Sequence, residues 1–207
     1  MVRYNFPEYE IELEISEDVY FPAEDTFFLI NSLTIPNNCE LIFEVGGGSG
    51  IISIVLAKKY PELRFIVCEI SYDAAKLISS NCRLNEVNKQ IDVVCMDKID
   101  ALKEVSPDVI IWNPPYLPAE EENEIFPKLD KLALFGGKEG YEEVYQLITY
   151  LKDKNFKTSF FTIFSSLAWD TSKLDNNISF EILNTTKFFF EKLYLVRFDF
   201  SDNNVKK

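Results

Sequence analysis

Leu41-Ile42-Phe43-Glu44-Val45-Gly46-Gly47-Gly48-Ser49-Gly50 begins as a short apolar run and ends in glycines, and Ile51-Ile52-Ser53-Ile54-Val55-Leu56-Ala57-Lys58-Lys59 follows without a break. The first run has the length of a buried strand. The second has the period of a helix, with Ile51, Ile52, Val55 and Leu56 on one side. Strand, glycine turn and helix in that order open an α/β sheet. Glycine permits a tight turn and lets backbone approach a ligand closely, and that ligand sits beyond the carboxyl end of the strand. A dinucleotide site wants G-x-G-x-x-G here. Counted from Gly46, the last glycine falls on Ile51; counted from Gly48, on Ser53. The register demotes a pyrophosphate. A ligand with a nucleoside and no phosphate remains, and S-adenosylmethionine is the candidate.

The same alternation continues along the chain. Strands are expected at Arg64 to Ile70, Ile91 to Met96, Asp108 to Trp112, Thr158 to Phe164, Ser179 to Leu183 and Leu193 to Phe200. Helices are expected at Tyr72 to Leu84 and Glu139 to Leu151, with a weaker one near Trp169 to Leu174. Strands alternating with helices imply a mostly parallel sheet covered on both faces. Before Leu41, Tyr9 to Ile15 fits an edge strand. Pro22 to Leu33 fits an amphipathic helix with an acidic start at Glu24 and Asp25. Residues 1–207 are taken as one domain, with residues 1–35 an N-terminal extension forming part of the cofactor and substrate site.

Two acids stand where a nucleoside would need them. Glu69, in Val67-Cys68-Glu69-Ile70, closes the second strand of the unit, where a carboxylate can take ribose hydroxyls. Asp97, in Cys95-Met96-Asp97, follows the third and can accept from an adenine amine. Either acid alone is an ordinary strand-end residue; their spacing across successive strand ends is the signal.

The fourth strand runs directly into Asn113-Pro114-Pro115-Tyr116. Two prolines explain the end of a strand. They do not explain a carboxamide at the carboxyl end of a buried strand, in the crevice of the glycine loop. An amide or aromatic amine is a poor nucleophile because its lone pair is delocalised. The side-chain oxygen of Asn113 and the carbonyl of Pro114 can each accept one of its N–H groups and turn the nitrogen toward a methyl sulfonium. Proline rigidity holds the acceptors, and Tyr116 can stack on the flat group. Asn113, Pro114, Pro115 and Tyr116 are the candidate catalytic residues.

Composition sets the outer limits. The formal net charge is -13, which repels phosphate backbones, and no Lys/Arg run offers a local basic patch. Direct nucleic-acid binding is disfavoured. The absence of histidine removes imidazole bases and most zinc sites, and no metal is expected. Cys39, Cys68, Cys82 and Cys95 are scattered, with Cys68 and Cys95 read as small core residues. No run reaches membrane-spanning length, and a cytoplasmic location is the default. Ser201 to Lys207 is a short polar tail.

Glu44 to Gly50 followed by Asn113 to Tyr116 resembles the amino-methyltransferases of the class I Rossmann-like fold. Three further stretches narrow the match: Val19-Tyr20-Phe21-Pro22-Ala23-Glu24-Asp25-Thr26, Leu134-Phe135-Gly136-Gly137-Lys138-Glu139-Gly140, and Glu191-Lys192-Leu193-Tyr194-Leu195-Val196-Arg197-Phe198. Together they resemble the HemK/PrmC-related glutamine methyltransferases, in their short archaeal and eukaryotic branch. The resemblance implies an α/β fold with a seven-stranded, mostly parallel sheet, an antiparallel C-terminal strand and helices on both faces. It implies methylation of the side-chain amide of the glutamine in the Gly-Gly-Gln motif of a class-one translation release factor, with S-adenosyl-L-homocysteine as by-product. It makes Thr26, Glu44, Gly46, Glu69 and Asp97 cofactor-contacting positions, with Gly48, Gly50 and Asn113 lining the same crevice. The family usually carries Asp where this chain has Glu69, and Phe21 replaces a residue commonly acidic there. A small zinc-binding activator protein is an implied heterodimer partner. The acidic run Glu120-Glu121-Glu122-Asn123-Glu124 fits a solvated loop or one that steers a basic substrate. Three alternatives share these residues: an adenine amino-methyltransferase acting on RNA or DNA, a protein lysine methyltransferase, and a non-catalytic binding module.

Overall fold

In a computed structural model, described over residues 1–116, 136–175, 178–188 and 191–200, the chain begins with β1 (Val2–Phe6) and β2 (Ile11–Ile15) and then α1 (Glu24–Ser32). The alternating core follows: β3 (Leu41–Val45), α2 (Ile51–Lys59), β4 (Arg64–Glu69), α3 (Tyr72–Leu84), β5 (Ile91–Cys95), α4 (Lys98–Leu102) and β6 (Val109–Trp112). It closes with α5 (Glu142–Asp153), β7 (Ser159–Ser165), β8 (Phe180–Phe188) and β9 (Glu191–Asp199). No helix among the described residues is long and apolar enough to cross a membrane.

The main sheet has seven strands in the order β5-β4-β3-β6-β7-β9-β8. β5 through β7 are parallel, and β9 runs antiparallel to both of its neighbours. The chain lays β4 and β5 to one side of β3 and then crosses to place β6 on the other. A crevice opens at such a reversal, at the carboxyl ends of the two central strands. The glycine loop leaves β3 there and Asn113 leaves β6 there, with Val45 paired to Trp112 in the last rung between them.

Both faces of the sheet are covered. On one, Phe65, Phe161 and Leu195 are buried with Leu29, Ile54 and Ile78 of the first three helices. On the other, Phe43, Phe160, Phe164 and Phe198 are buried with Val144, Leu147, Ile148 and Leu151 of α5. Each such side chain contributes about 1.5–3 kcal/mol when fully buried.

Several expectations need correction. Ile11–Ile15 is a strand, but it pairs with Val2–Phe6 in a separate two-stranded sheet and does not edge the main one. The expected helix at Trp169 to Leu174 is a single 3-10 turn, Thr171–Lys173, capped by the Asp170 side chain. α5 starts at Glu142, because Gly140 just before it adopts a left-handed conformation. β8 continues to Phe188 through an irregularity between Ile182 and Asn184, which breaks the alternation that would have revealed its length. Cys95 is exposed, since β5 is an outer strand of the sheet. The acidic run Glu120 to Glu124 and the tail Ser201 to Lys207 lie outside the described residues.

The outer edge of β2 is closed by side chains. Asn81 Oδ1 accepts from the Glu14 N–H at 2.8 Å, and Asn81 Nδ2 donates to the Glu14 carbonyl at 2.9 Å. One helical turn on, Asn85 makes the same pair of bonds to Glu12, at 3.0 and 2.6 Å. Residues four apart share a helix face and residues two apart share a strand edge, so the two periods meet. The asparagines replace the missing third strand of the hairpin. Asn81 is fully buried and also donates to the Ser49 carbonyl, at 2.9 Å. Asn81→Ala leaves three backbone groups without their partners and is expected to lower stability by roughly 3 kcal/mol, read as a shift in the urea midpoint. A loss under 1 kcal/mol would mean that water takes over these bonds.

Candidate functional site

The loop after β3 is shaped for close approach. Gly46, Gly48 and Gly50 have φ of 63°, 56° and 83°. Gly47 is needed for space, because a Cβ there would run into Val67 and Ile78. The Gly46 and Gly47 amides donate to the Cys68 carbonyl at 2.8 and 3.2 Å, tying the turn to the end of β4. The Trp112 indole lies against Gly46 from the β6 side.

Acids stand on three adjacent strands near this loop, and one of them bonds to it directly. Glu69 is buried, and its two carboxylate oxygens accept from the Gly48 amide at 3.0 Å and the Ser71 amide at 2.9 Å. Each oxygen retains a lone pair for a further donor. Asp97 follows β5, caps α4 through the Ile99 amide at 3.1 Å, and is half-exposed. Glu44, in β3, is buried beneath the start of α2. Its Oε2 accepts from the Ser53 backbone N–H at 3.0 Å and from the Ser53 hydroxyl, while its Oε1 is buried with no partner among the described residues. Gly50 at the N-cap brings no side chain, so Glu44 satisfies one of the free N–H groups of α2. Burial drives the Glu44 carboxyl up to about 8 against the opposing bonds from Ser53, with nearby Glu69 adding to the rise.

The carboxamide of Asn113 is anchored from α1. Its Nδ2 donates to Asp25 Oδ2 at 2.9 Å and to Thr26 Oγ1 at 3.3 Å. A carboxylate only accepts, so this contact fixes which end of the amide is nitrogen. Asn113 Oδ1 is buried and has no hydrogen-bond partner among the described residues. Asp25 is itself buried, and its Oδ1 accepts from the Thr26 amide at 2.7 Å, the Thr26 hydroxyl at 3.3 Å and the Tyr20 hydroxyl at 3.2 Å. The Tyr116 phenol is held protonated by burial first, and then by Asp25, Tyr20 and Glu191. Tyr20 is shifted the same way, again by burial and then by Asp25.

The other side of the loop is walled by glycine. A Cβ on Gly136 would strike the carbonyl oxygens of Pro115 and Gly140, so the backbone at Gly136 packs directly on Pro115. Glu142 organises the residues that follow. Its carboxylate accepts from the Glu139 amide at 2.9 Å and the Tyr141 amide at 3.2 Å. Partial burial opposes its ionisation, but these backbone donors prevail and its carboxyl lies below the usual range.

The structure thus gathers Thr26, Gly46, Gly48, Gly50, Glu69 and Asn113 at the carboxyl ends of β3, β4 and β6, with Glu44 buried beneath the glycine turn and Asp97 following β5. Sequence reasoning gave no site role to Asp25, Tyr20, Glu142 or Glu191, although Tyr20, Asp25 and Glu191 lie in the stretches that carry the resemblance. Asp25 carried a signal, an acid at a helix start, but that signal spoke of the helix dipole and not of Asn113. No cluster of His, Cys, Asp or Glu suited to a metal occurs among the described residues.

The family model described as methyltransferase small domain matches residues 24–129. A Methanocaldococcus jannaschii protein provisionally named a protein N5-glutamine methyltransferase is 37% identical over 148 residues, covering 69% of this chain and 71% of the relative. The release factor glutamine methyltransferase of Dictyoglomus turgidum is 30% identical over 204 residues, covering 92% of this chain and 67% of the relative. Further bacterial relatives of that name are matched over about half of their length. Among solved structures, the E. cuniculi Mtq2-Trm112 complex, described as responsible for methylation of the eRF1 translation termination factor, gives a TM-score of 0.61 at 19% identity. That match covers 88% of this chain and 98% of the other, and it speaks for the fold.

The raised carboxyl of Glu44 makes stability depend on pH. A folded-state value of about 8, against 4.5 for the free group, means that the folded chain holds the extra proton between the two. The contribution is complete below pH 4.5 and is lost as pH rises through 8. Glu44→Gln keeps the shape and removes the titration. The melting temperature of the variant, measured without ligand, is expected to gain on that of the parent from pH 6 to pH 9. The gain is at most about 1.4 kcal/mol per pH unit. A gap that stays constant would show that Glu44 is already ionised at pH 6.

Proposed function

The chain belongs to the methyltransferase small domain family and, within it, to the protein-glutamine methyltransferases, and we propose that it methylates the side-chain amide of the glutamine in the Gly-Gly-Gln motif of a class-one translation release factor, using S-adenosyl-L-methionine. The observation that carries this reading is the buried Asn113 Oδ1, left without a partner among the described residues because the amide nitrogen beside it is bound to Asp25 and Thr26. A buried acceptor in want of a donor is costly. A primary amide N–H placed there satisfies it, and the Pro114 carbonyl is the second acceptor for the other hydrogen.

The crevice suits the cofactor. The glycine turn is open at Gly48, where a Cβ would meet only Val19, at 4.0 Å, and the buried Glu44 Oε1 has no partner among the described residues. In this reading Thr26, Glu44, Gly46, Gly48 and Gly50 line the cofactor, Glu69 accepts from its ribose hydroxyls and Asp97 from its adenine amine. The cofactor supplies an electrophilic methyl on a positively charged sulfur. Asn113 and Pro114 hold the amide nitrogen with its face toward that methyl, which removes the need for a strong base. Asp25 holds Asn113 in one orientation, and its negative charge on the carboxamide NH2 strengthens the opposite oxygen as an acceptor. Tyr116, kept neutral, offers a flat ring to the amide. Transfer would form the N–C bond and break the methyl–sulfur bond, releasing S-adenosyl-L-homocysteine, and the proton on the nitrogen would pass to water, since the chain has no histidine to take it.

The net charge of -13 favours a protein substrate over a polynucleotide. The N-terminal segment, residues 1–35, contributes Asp25 and Thr26 and is thus part of the site. A small zinc-binding activator subunit and a cytoplasmic setting complete the proposal.

Labelled cofactor incubated with a release factor, bulk RNA or bulk DNA tests the substrate. Label is expected in the release factor, on glutamine by mass mapping; label in nucleic acid alone would overturn the assignment. Asn113→Ala is expected to retain cofactor binding by calorimetry and to lose turnover by about 10²-fold or more. Asp25→Ala, which frees the carboxamide to rotate, is expected to lower kcat by about 10²-fold. Unchanged turnover in either variant would remove the clamp from the mechanism.

A further inference from the structure

Ser165 ends β7, and Leu193 pairs with it across the antiparallel ladder. Glu191 therefore begins β9 at the carboxyl end of the parallel strands, on the same side as the loop leaving β6. Two serines fix this corner. The Ser165 hydroxyl, fully buried, donates to Glu191 Oε2 and accepts from the Leu167 amide at 3.0 Å. The Ser166 hydroxyl accepts from the Lys192 amide at 2.9 Å. The Glu191 side chain is thus held in one place, half-buried. Trp112 pairs with Thr162 and Leu193 with Ser165 in the same sheet, so Glu191 stands beyond the end of β7 at about the height of Pro115 and Tyr116, and its charge adds to the rise of the Tyr116 phenol. Among the described residues, Ser165 is its only hydrogen-bond donor and no Lys or Arg pairs with it.

We propose that Glu191, held by Ser165, is a specificity-determining residue that accepts backbone N–H groups of the peptide flanking the target amide and turns away phosphodiester chains. The inference rests on the glutamine reading and sharpens it. A glycine-rich segment has bare N–H groups with no side chains to cover them, and a carboxylate is the acceptor best matched to such donors. A polynucleotide offering an exocyclic amine to the same Asn113 brings phosphates within a few ångströms of its base. A fixed carboxylate repels them, while a neutral acceptor would not. The reacting clamp alone cannot make this distinction, because an amide and an adenine amine present the same pair of N–H donors.

Glu191→Gln keeps the shape and the bond from Ser165 but removes the charge. Methyl transfer is measured to a Gly-Gly-Gln peptide and to an adenine-containing RNA oligonucleotide, together with cofactor affinity by calorimetry. The variant is expected to raise the peptide KM about 10-fold or more, with a smaller effect on kcat and none on cofactor affinity, and Glu191→Asp is expected to recover part of the loss. Glu191→Lys is expected to bind the oligonucleotide more tightly than the parent does. Should Glu191→Gln fail to fold, Ser165→Ala releases the carboxylate and is read by the same KM. A parent that labels the peptide beside a variant with unchanged peptide KM would overturn the inference alone. A parent that leaves the peptide unlabelled overturns the glutamine reading and the inference with it.

Discussion

The hydrogen bond from the Asn113 carboxamide to the buried carboxylate of Asp25, 2.9 Å long, is the constraint around which the crevice is built. A buried carboxylate is tolerable only when its lone pairs are taken. Here Thr26, Tyr20 and Asn113 supply the donors, and the phenol of Tyr116 lies in its field. Each of these groups is also a wall of the site. Satisfying the charge and shaping the pocket are therefore one requirement. The cost left over falls on Asn113 Oδ1, which is buried and unpaired among the described residues.

Topology brings the parts close, and side chains then fix them. The strand order places the ends of β3 and β6 side by side, which sets the glycine loop against Trp112. The N-terminal hairpin has no place in that sheet. It is held to α3 by Asn81 and Asn85, and Asn81 also holds Ser49 of the glycine loop. The floor of the crevice and the segment leading to Asp25 are thus connected through one buried amide.

Much of this was legible in the sequence. The central strands are apolar runs, interrupted in β3 only by Glu44, that end at glycine or at Asn-Pro-Pro, and such runs announce themselves. Asn113 was legible as a candidate acceptor because its chemistry is local: a carboxamide followed by two prolines at a strand end. The hairpin was half-legible. Ile11, Leu13 and Ile15 alternate cleanly, whereas most of β1 is exposed and gives no pattern. α4 has five residues, too few to show a helical period. Asp25 as the anchor of Asn113 was not legible at all, since the pairing spans 88 positions and nothing local at either residue names the other. Glu191 was hidden for the same reason, its role depending on Ser165 across the β7–β9 ladder.

That separation has a consequence in time as well as in space. A contact closed over so long a stretch of chain forms only after the intervening strands have been laid down, because its loop entropy is recovered only by the packing between. The β3–α2–β4 unit, built from near neighbours, can acquire its secondary structure early. The Asn113–Asp25 bond cannot, and until it closes Asn113 is free to rotate and the acceptor oxygen has no fixed direction. On refolding, recovery of helical signal should run ahead of recovery of catalysis, so that turnover reports the last step of assembly.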